Sequence, residues 1–257
     1  MSAASIPAAL TATLAAARRV TVLTGAGMSA ESGVPTFRDA QAGLWSRYRP
    51  EELATREAFE ADPDAVWSWY EWRRDLVEKA EPNPGHVALV ELAALVDRLT
   101  IVTQNVDGLH LRAGSQDVIE FHGNLFENYC VERGHPMTSV PRPCPAPPPC
   151  PRCGSPARPG VVWFGESIPA NALERALAAA QECDLFLAIG TSALVYPAAG
   201  LAETALGAGA VAVEVNPQRT SLSGLAEFCL RAPSGEALPA IVAALRARLG
   251  IGGATRP

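Results

Sequence analysis

The sequence of 257 residues has little of what marks a nucleic-acid-binding or membrane protein. Lysine and arginine number 21 against 27 aspartates and glutamates, a net charge of −6, which argues against sequence-independent nucleic-acid binding through a broad basic surface. No apolar run approaches the about 20 residues that span a bilayer. The N-terminal stretch MSAASIPAALTATLAAARR has its arginines after the apolar part, the reverse of a secretory signal. We therefore expect a cytoplasmic protein that binds neither nucleic acid nor membrane.

Strand and helix signals alternate along most of the chain. Near-continuous apolar runs predict strands at 20–24, 99–104, 117–121, 184–189, 210–215 and 226–231, and helices are predicted near 8–18, 86–97, 170–181, 197–208 and 236–248. Apolar strands separated by helices indicate an α/β fold, a Rossmann-like parallel sheet with helices on both faces. Hydrophobic residues make up 48% of the chain, enough for a substantial core.

Two insertions interrupt the alternation. Residues 41–80 are rich in Trp, Arg and Glu and look helical, whereas residues 126–160 hold four of the six cysteines and the run PRPCPAPPPCPRC. Because proline has no backbone N–H, we expect no regular strand or helix in the second insertion. The predicted organisation is one domain, 1–257, with a large lobe from 1–40, 81–125 and 161–250. The helical insertion and the cysteine-containing module at 126–160 form its small lobe.

A glycine-rich turn follows the first predicted strand. Residues 25–30, GAGMSA, satisfy the G-x-G-x-x-G/A spacing, in which small residues permit a tight turn and close approach to a pyrophosphate. A plain turn before a packing helix has the same spacing. Here Gly33 and Pro35 interrupt the expected helix after about two turns. The chain then enters a loop at 36–38 that carries an aromatic ring and a cation.

Further motifs follow in a fixed order. They are GAGMSAESGVPTFR at 25–38, TQNVDGLH at 103–110, FHGN at 121–124, VVWFGE at 161–166, GTS at 190–192 and NPQ at 216–218. Together they resemble the sirtuins, NAD-consuming protein-lysine deacylases, over residues 18–249. An ordinary dehydrogenase is the rival enzyme, but the acidic residue it needs about 20 positions beyond the turn has no counterpart at a strand end in GLWSRYRPEE. A module that binds ADP-ribose or acyl-lysine without turnover is a second alternative.

The resemblance implies an NAD site built from the ends of several strands. It assigns His122, after the apolar run VIEF, as the base that acts on the NAD ribose, and Asn105 as a second catalytic residue. Polar side chains after the strand LTIV can hydrogen-bond ribose hydroxyls or a carboxamide. The expected NAD-binding residues are Gly25, Ala26, Gly27, Ala30, Thr36, Phe37, Arg38, Gln104, Asn105, Val106, Asp107, Gly190, Thr191, Ser192, Asn216, Pro217, Gln218 and Ser234.

The resemblance also implies the substrate. Acylated lysine peptides are expected to bind as an added strand between VVWFGE and the loop after GTS, and the products are free lysine, nicotinamide and O-acyl-ADP-ribose. Tyr70 and Arg73, three apart, share a helix face and with Ala54 resemble the class III sirtuins, which remove malonyl, succinyl and glutaryl groups. An amphipathic helix with Tyr70 in the core is the alternative. The expected substrate-binding residues are Ala54, Tyr70, Arg73, Val162, Trp163, Phe164, Gly165 and Glu166.

The cysteines depart from the family pattern. Cys150 and Cys153 form one C-x-x-C half of a tetrahedral zinc site. The resemblance places a second C-x-x-C at Cys130, but its partner position is Arg133. Two side chains are candidates for the missing ligand, Cys144 first and His135 as the alternative. A lobe that has lost its zinc and is held by prolines and packing is the other interpretation.

Overall fold

The computed structural model describes residues 6–35 and 50–251. The helices are α1 (Ala8–Ala16), α2 (Pro50–Leu53), α3 (Arg56–Ala61), α4 (Pro63–Lys79), α5 (Pro84–Ala93), α6 (Leu109–Ala113), α7 (Ala170–Glu182), α8 (Gly200–Gly207) and α9 (Ser234–Leu249). The strands are β1 (Arg19–Thr24), β2 (Arg98–Thr103), β3 (Val118–Glu120), β4 (Gly123–Cys130), β5 (Ala157–Val161), β6 (Leu185–Ile189), β7 (Val211–Val215) and β8 (Phe228–Leu230). The predicted NAD-binding residues Thr36, Phe37 and Arg38 lie outside the described residues.

Six strands form a parallel sheet, as predicted. Their order is β3-β2-β1-β6-β7-β8, and each neighbouring pair is parallel. The order reverses between β1 and β6, because β2 lies on one side of β1 and β6 on the other. In open sheets of this kind ligands bind beyond the carboxyl ends of the strands at the reversal point. The glycine turn follows β1 and therefore lies at that point.

Helices cover both faces of the sheet. One core packs α1, α5 and α9 against the strands, with Leu10, Leu89 and Leu238 almost fully buried. The other packs α7 and α8, with Ala176 and Leu201 buried. Burying both faces explains why the central strands are continuous apolar runs rather than alternating ones. No helix in the ranges 6–35 and 50–251 combines the length and apolar character needed to cross a membrane.

The cysteine insertion contains parts of two β-strands, although no regular strand was expected there. Strands β4 and β5 pair antiparallel, with Cys130 opposite Ala157, so the expectation of no regular strand in 126–160 is wrong at both ends. The prolines are concentrated between the two strands, where they do not interrupt the pairing. Pro159 lies within β5, which a strand with only one hydrogen-bonded neighbour tolerates.

Helix boundaries differ from the predicted ones where caps decide them. Helix α5 begins at Pro84, two residues before the predicted start, because the Asn83 side chain accepts hydrogen bonds from the N–H groups of Gly85 and His86. It ends at Ala93, four residues before the predicted end. The short helix α6 was not predicted, because its five residues, Leu109–Ala113, are too few to show a helical period.

Helix α4 links the helical insertion to the two-stranded sheet. Its inward face buries Trp67, Trp69 and Arg74. The Arg74 guanidinium donates from Nε to the Leu125 carbonyl oxygen at 2.6 Å and from Nη2 to Asn128 Oδ1 at 2.7 Å. Both acceptors are in β4, so a fully buried and hydrogen-bonded arginine fixes α4 against that strand. The neighbouring Arg73 is therefore held at a fixed position on the same helix.

Candidate active site

The glycine turn packs directly against the end of β6. The Gly25 N–H donates to the Ile189 carbonyl oxygen at 3.0 Å, and the Gly27 N–H donates to the Gly190 carbonyl oxygen at 2.9 Å. A Cβ added to Gly27 would lie 2.8 Å from the Gly190 Cα, a backbone atom that cannot move aside. The glycines are therefore needed for close contact between two backbone segments.

The turn ends early, as the sequence indicates. Two short 3-10 turns, Ala26–Met28 and Ala30–Ser32, replace the first helix of an ordinary dinucleotide-binding unit. Gly33 then adopts φ of 79°, a left-handed conformation that glycine tolerates best and that ends the second turn.

Three polar side chains below the glycine turn form a connected hydrogen-bond network. Asn105 Nδ2 donates to the Gly25 carbonyl oxygen at 3.0 Å and to Ser29 Oγ at 3.1 Å. The Ser29 hydroxyl donates to Asp107 Oδ2 at 2.7 Å, and Asp107 Oδ1 accepts from the Leu109 N–H. Both hydrogens of the Asn105 amide are used within the protein, which leaves its oxygen to meet a ligand. Burial raises the pKa of Asp107 above its ordinary value.

Ser29 was not among the predicted site residues. Its signal was present, since it is the first polar side chain after the glycine turn in GAGMSA. Ser29 is 1% exposed and joins the segment at 25–29 to Asn105 and Asp107 at the end of β2. It is therefore a structural link between two predicted parts of the NAD site.

The ends of β2, β6 and β7 converge at the same edge. Gln104 Nε2 donates to Thr191 Oγ1 at 2.9 Å, and Asn216 Nδ2 donates to the Thr191 carbonyl oxygen at 2.9 Å. Asn216 Oδ1 in turn accepts from the Gln218 N–H at 3.1 Å. The structure thus brings TQNVDGLH, GTS and NPQ together around Thr191.

Ser234, the predicted residue on the adenine side, is already hydrogen-bonded within the protein. Its side chain is buried at the start of α9, and its hydroxyl lies 3.2 Å from Glu31 Oε2. The Gly235 N–H donates to the same oxygen at 2.7 Å. A carboxylate at a helix N-terminus is a favourable arrangement, so Glu31 fixes α9 against the glycine turn, and this hydroxyl helps to hold that contact.

His122 lies between β3 and β4 with a defined tautomer. Its Nδ1 is 3.1 Å from the Gln104 carbonyl oxygen, and because a carbonyl can only accept, Nδ1 carries the hydrogen. Nε2 is then unprotonated and able to accept a proton. Burial lowers the pKa of His122, opposed by the hydrogen bond to Gln104. The imidazole is therefore neutral at neutral pH, the state that a general base requires.

Two other histidines form a buried pair beneath the site. His110 is in α6 and is 2% exposed, with its ring centroid 4.8 Å from that of His86. His110 Nε2 lies 3.0 Å from Thr24 Oγ1 at the end of β1. Burial lowers the pKa of His86 to about 4 and that of His110 to about 3. Both rings are consequently neutral at neutral pH.

The predicted acyl-binding residues belong to a third core, between α4 and the two-stranded sheet. Ala54, Tyr70 and Trp163 are buried together in it, with Val106 of the NAD segment packed against them. The Arg73 guanidinium lies 5.0 Å from the centroid of the Trp69 ring. Burial lowers the pKa of Arg73, whereas its interactions with Tyr70 and Asp107 favour the charged form. The acyl residues and the NAD segment therefore adjoin one another.

The segment VVWFGE connects these parts. The Val162 N–H donates to the His122 carbonyl oxygen at 2.8 Å, and the Phe164 N–H donates to the Ala54 carbonyl oxygen at 2.9 Å. Trp163 is 1% exposed, whereas Phe164 is 45% exposed. The loop after GTS also exposes large side chains, at Leu194, Val195 and Tyr196. These apolar surfaces flank the position predicted for the peptide.

The structure places the ligands for a metal ion in the cysteine module. Single ligand atoms of Cys130, His135, Cys150 and Cys153 all lie within 4.8 Å of one another. The Cys130 and Cys153 sulfurs are 3.6 Å apart, and Cys150 Sγ is 3.6 Å from His135 Nδ1. A zinc tetrahedron with Zn–S of about 2.3 Å has edges of about 3.8 Å. The four ligands fit a structural zinc ion.

Two similar turns explain why His135 is the fourth ligand. The Gly134 N–H donates to the Cys130 carbonyl oxygen, as the Gly154 N–H does to that of Cys150. In the second turn Cys153 directs its sulfur into the cluster. The equivalent position of the first turn is Arg133, and His135, just beyond the glycine, supplies a ring nitrogen instead. Cys144, the first candidate for this ligand, is wrong: it lies outside the cluster, and its thiol donates to the Ala146 carbonyl oxygen at 3.0 Å.

Comparisons with known proteins agree with this geometry. The Sir2 family profile matches residues 25–197. The chain is 52% identical over 246 residues to an NAD-dependent protein deacylase of Ralstonia nicotianae, covering 95% of this chain and 98% of the relative. It is 50% identical over 246 residues to one of Methylococcus capsulatus, covering 92% and 96%. A Sir2 homolog–NAD complex superimposes with a TM-score of 0.90 at 43% identity, covering 97% of each chain.

The fold and site define an enzyme with an NAD-binding parallel sheet and a cysteine–histidine cluster that fits a zinc ion. The chain belongs to the Sir2 family.

Proposed function

We propose that the protein removes acidic acyl groups, succinyl and malonyl in particular, from protein lysines in an NAD-dependent reaction. The single observation that carries the acyl preference is the position of Tyr70 in the buried core beside the NAD segment, where it interacts electrostatically with the half-buried Arg73 one helical turn away. Similarity to proteins named NAD-dependent protein deacylase supports the reaction class.

The acidic preference rests on the chemistry of the two side chains. A phenol and a guanidinium are both hydrogen-bond donors to an anion, and a guanidinium can bind a carboxylate through two parallel hydrogen bonds. An acetyl group offers no such acceptor at its methyl end. Ala54 leaves room beside the pair because its side chain is a single methyl group. A dicarboxylic acyl chain therefore fits this site better than an acetyl group.

The residues of the catalytic edge have distinct tasks in the proposed reaction. His122 accepts a proton at Nε2, from a ribose hydroxyl of NAD, while Gln104 holds its other nitrogen. Ser29 orients Asn105 and Asp107, and these two side chains would hold the nicotinamide end of NAD. Thr191 and Asn216, which are hydrogen-bonded to each other, would hold the phosphate and adenosine end. The metal module has no part in these steps and stabilises the small lobe.

The decisive experiment compares acyl groups on one peptide. Succinyl-lysine, malonyl-lysine and acetyl-lysine versions are assayed for NAD-dependent release of nicotinamide, with native protein and with Arg73→Met. Loss of one partner of a desolvated charge pair costs about 2 to 5 kcal/mol, so desuccinylation should fall roughly 30-fold or more. Deacetylation should change little. Arg175→Met, which removes an exposed arginine on α7, is the matched control.

Preferred turnover of acetyl-lysine by the native protein would contradict the proposal, and so would an equal loss of all three activities in Arg73→Met. Either result would make the protein a general deacetylase with Arg73 in a structural role. Binding of acyl peptide and NAD without any nicotinamide release would instead indicate a non-catalytic reader. The cytoplasmic location, the single-domain organisation and the expected lack of nucleic-acid partners stay predictions.

A further inference from the structure

The Tyr70 hydroxyl has a neighbour whose chemistry restricts it. Trp163 Nε1 lies 3.0 Å from the Tyr70 oxygen, and both side chains are buried, at 1% and 3% exposure. An indole N–H can only donate, so the tyrosine oxygen is the acceptor. One side of the phenol oxygen is thereby occupied, and the Tyr70 proton is directed elsewhere.

The Tyr70 hydroxyl proton, which points away from the Trp163 indole, needs a hydrogen-bond acceptor. Within residues 6–35 and 50–251 the structure gives the Tyr70 hydroxyl no acceptor, only the indole donor. The Arg73 guanidinium interacts with it electrostatically but has no acceptor atom. Burial raises the pKa of Tyr70 to about 12, so the hydroxyl keeps its proton at neutral pH. An anionic group beside the Tyr70 hydroxyl would accept this proton and would also be attracted by the Arg73 guanidinium.

The Trp163 ring is held in place from several sides. The Arg158 guanidinium carbon lies 3.5 Å from its centroid, and Arg158 Nη2 donates to Glu166 Oε2 at 2.8 Å. The same oxygen accepts from the Trp163 backbone N–H at 2.9 Å. Phe59 packs on the ring at a centroid distance of 5.3 Å. The direction of the indole N–H is therefore fixed before any ligand binds.

We propose that Trp163 is a specificity-determining positioning residue: its indole N–H occupies the Tyr70 oxygen and so aims the Tyr70 hydroxyl at the terminal carboxylate of a dicarboxylic acyl chain. This inference rests on the proposed function and adds to it the residue that prepares the phenol as a donor. Trp163 acts through Tyr70, whereas Tyr70 and Arg73 contact the carboxylate.

The test is a double-mutant cycle between Trp163→Phe and Tyr70→Phe. Trp163→Phe keeps an aromatic ring for Arg158 and Phe59 but removes the N–H. The quantity measured is the ratio of kcat/KM for succinyl-lysine over acetyl-lysine peptide, with KM and kcat separated. One neutral hydrogen bond contributes about 1 to 1.5 kcal/mol, so the ratio should fall roughly 5- to 10-fold, chiefly through KM for the succinyl peptide. In the Tyr70→Phe background the same substitution should leave the ratio unchanged.

An equal fall of the ratio in both backgrounds would overturn the inference, because Trp163 would then act through packing alone. A second measurement does not depend on folding of the tryptophan variant. One of the five tryptophan indole N–H resonances should shift in Tyr70→Phe protein, and five unchanged resonances would contradict the contact. If Tyr70→Phe lowers the ratio but Trp163→Phe does not, only this inference fails. If neither Tyr70→Phe nor Arg73→Met lowers the ratio, the proposed function fails.

Discussion

The carboxyl edge of the parallel sheet and the cysteine module are built by different means. At the edge, Asn105, Thr191 and Asn216 follow β2, β6 and β7 directly, and the sheet itself brings them together. In the module, the four metal ligands come from two turns, each closed by a glycine N–H that donates to the carbonyl oxygen of a cysteine ligand. A side chain at a strand end is placed by a regular element, whereas a ligand in an irregular turn is placed only by the folded loop.

The two regions also differ in what stabilises their polar groups. The buried edge residues are satisfied by one another, as in the network of Asn105, Ser29 and Asp107. The cysteine module gathers three thiols and an imidazole that gain most by sharing a metal ion. The edge should therefore fold without its ligand, while the module should depend on its metal. The following predictions test this difference, from the largest expected effect to the smallest.

Removing the base should abolish catalysis while the metal module stays intact. In His122→Ala, nicotinamide release should fall roughly 10²- to 10⁴-fold because no group accepts the ribose proton. NAD binding, measured by calorimetry, should be largely retained, as should the metal content. Turnover equal to that of the native protein would remove His122 from the role of base.

Removing a metal ligand should lower the metal content and destabilise the cysteine module, which the His122→Ala substitution is expected to leave intact. Untagged native protein should contain about one equivalent of zinc by elemental analysis, and Cys150→Ser should contain far less. Chelation should unfold the small lobe, seen as loss of protection from proteolysis at 126–160. Cys144→Ser is the matched control and should keep its metal, because Cys144 lies outside the cluster. A metal-free and fully active native preparation would show that packing alone holds the module.

Breaking the network at the sheet edge should weaken the reaction without unfolding the protein. Ser29→Ala removes the hydroxyl that joins Asn105 to Asp107, and a hydrogen bond to a charged group contributes about 1.5 to 3 kcal/mol. We expect kcat/KM for NAD to fall roughly 10-fold or more. Thr13→Ala, which removes an exposed hydroxyl on α1, should have no effect. Equal activity of Ser29→Ala and native protein would show that the backbone, and not the Ser29 hydroxyl, orients the Asn105 and Asp107 side chains.

Acid should destabilise the sheet region through the buried histidines. The pKa values of about 4 for His86 and about 3 for His110 lie below the ordinary value of 6.5, so the unfolded chain binds more protons. Stability should therefore fall as pH decreases below about 6.5, by up to about 1.4 kcal/mol per pH unit from each ring. Urea unfolding between pH 7 and pH 5 measures it. In His86→Gln the free energy of unfolding should depend less steeply on pH. An unchanged pH dependence would contradict the lowered pKa of His86.

The parts of the fold that were predictable share one property: a local pattern of apolar residues in the sequence. The four inner strands β1, β2, β6 and β7 could be located because each is an almost fully buried run, and the edge strands β3 and β8 because apolar residues continue the alternation of strands and helices. Strand β5, with the sequence ARPGV, has no such run, and its pairing with β4 is decided by the chain that folds between them. Helix α6 is too short to show a period. The cap at Asn83 moved one helix start that periodicity alone placed further along the chain.

The sequence by itself determined the family, the parallel sheet and the strand-end positions of His122, Asn105 and Thr191, because glycine spacing and apolar runs are local properties. Only the tertiary structure decided that His135, rather than Cys144, completes the metal ligands, since that choice depends on the turn between Cys130 and Gly134. It also decided that the Trp163 indole meets the Tyr70 hydroxyl, 93 residues away in the chain. Contacts between distant segments depend on the packing of whole elements, and no local pattern encodes them.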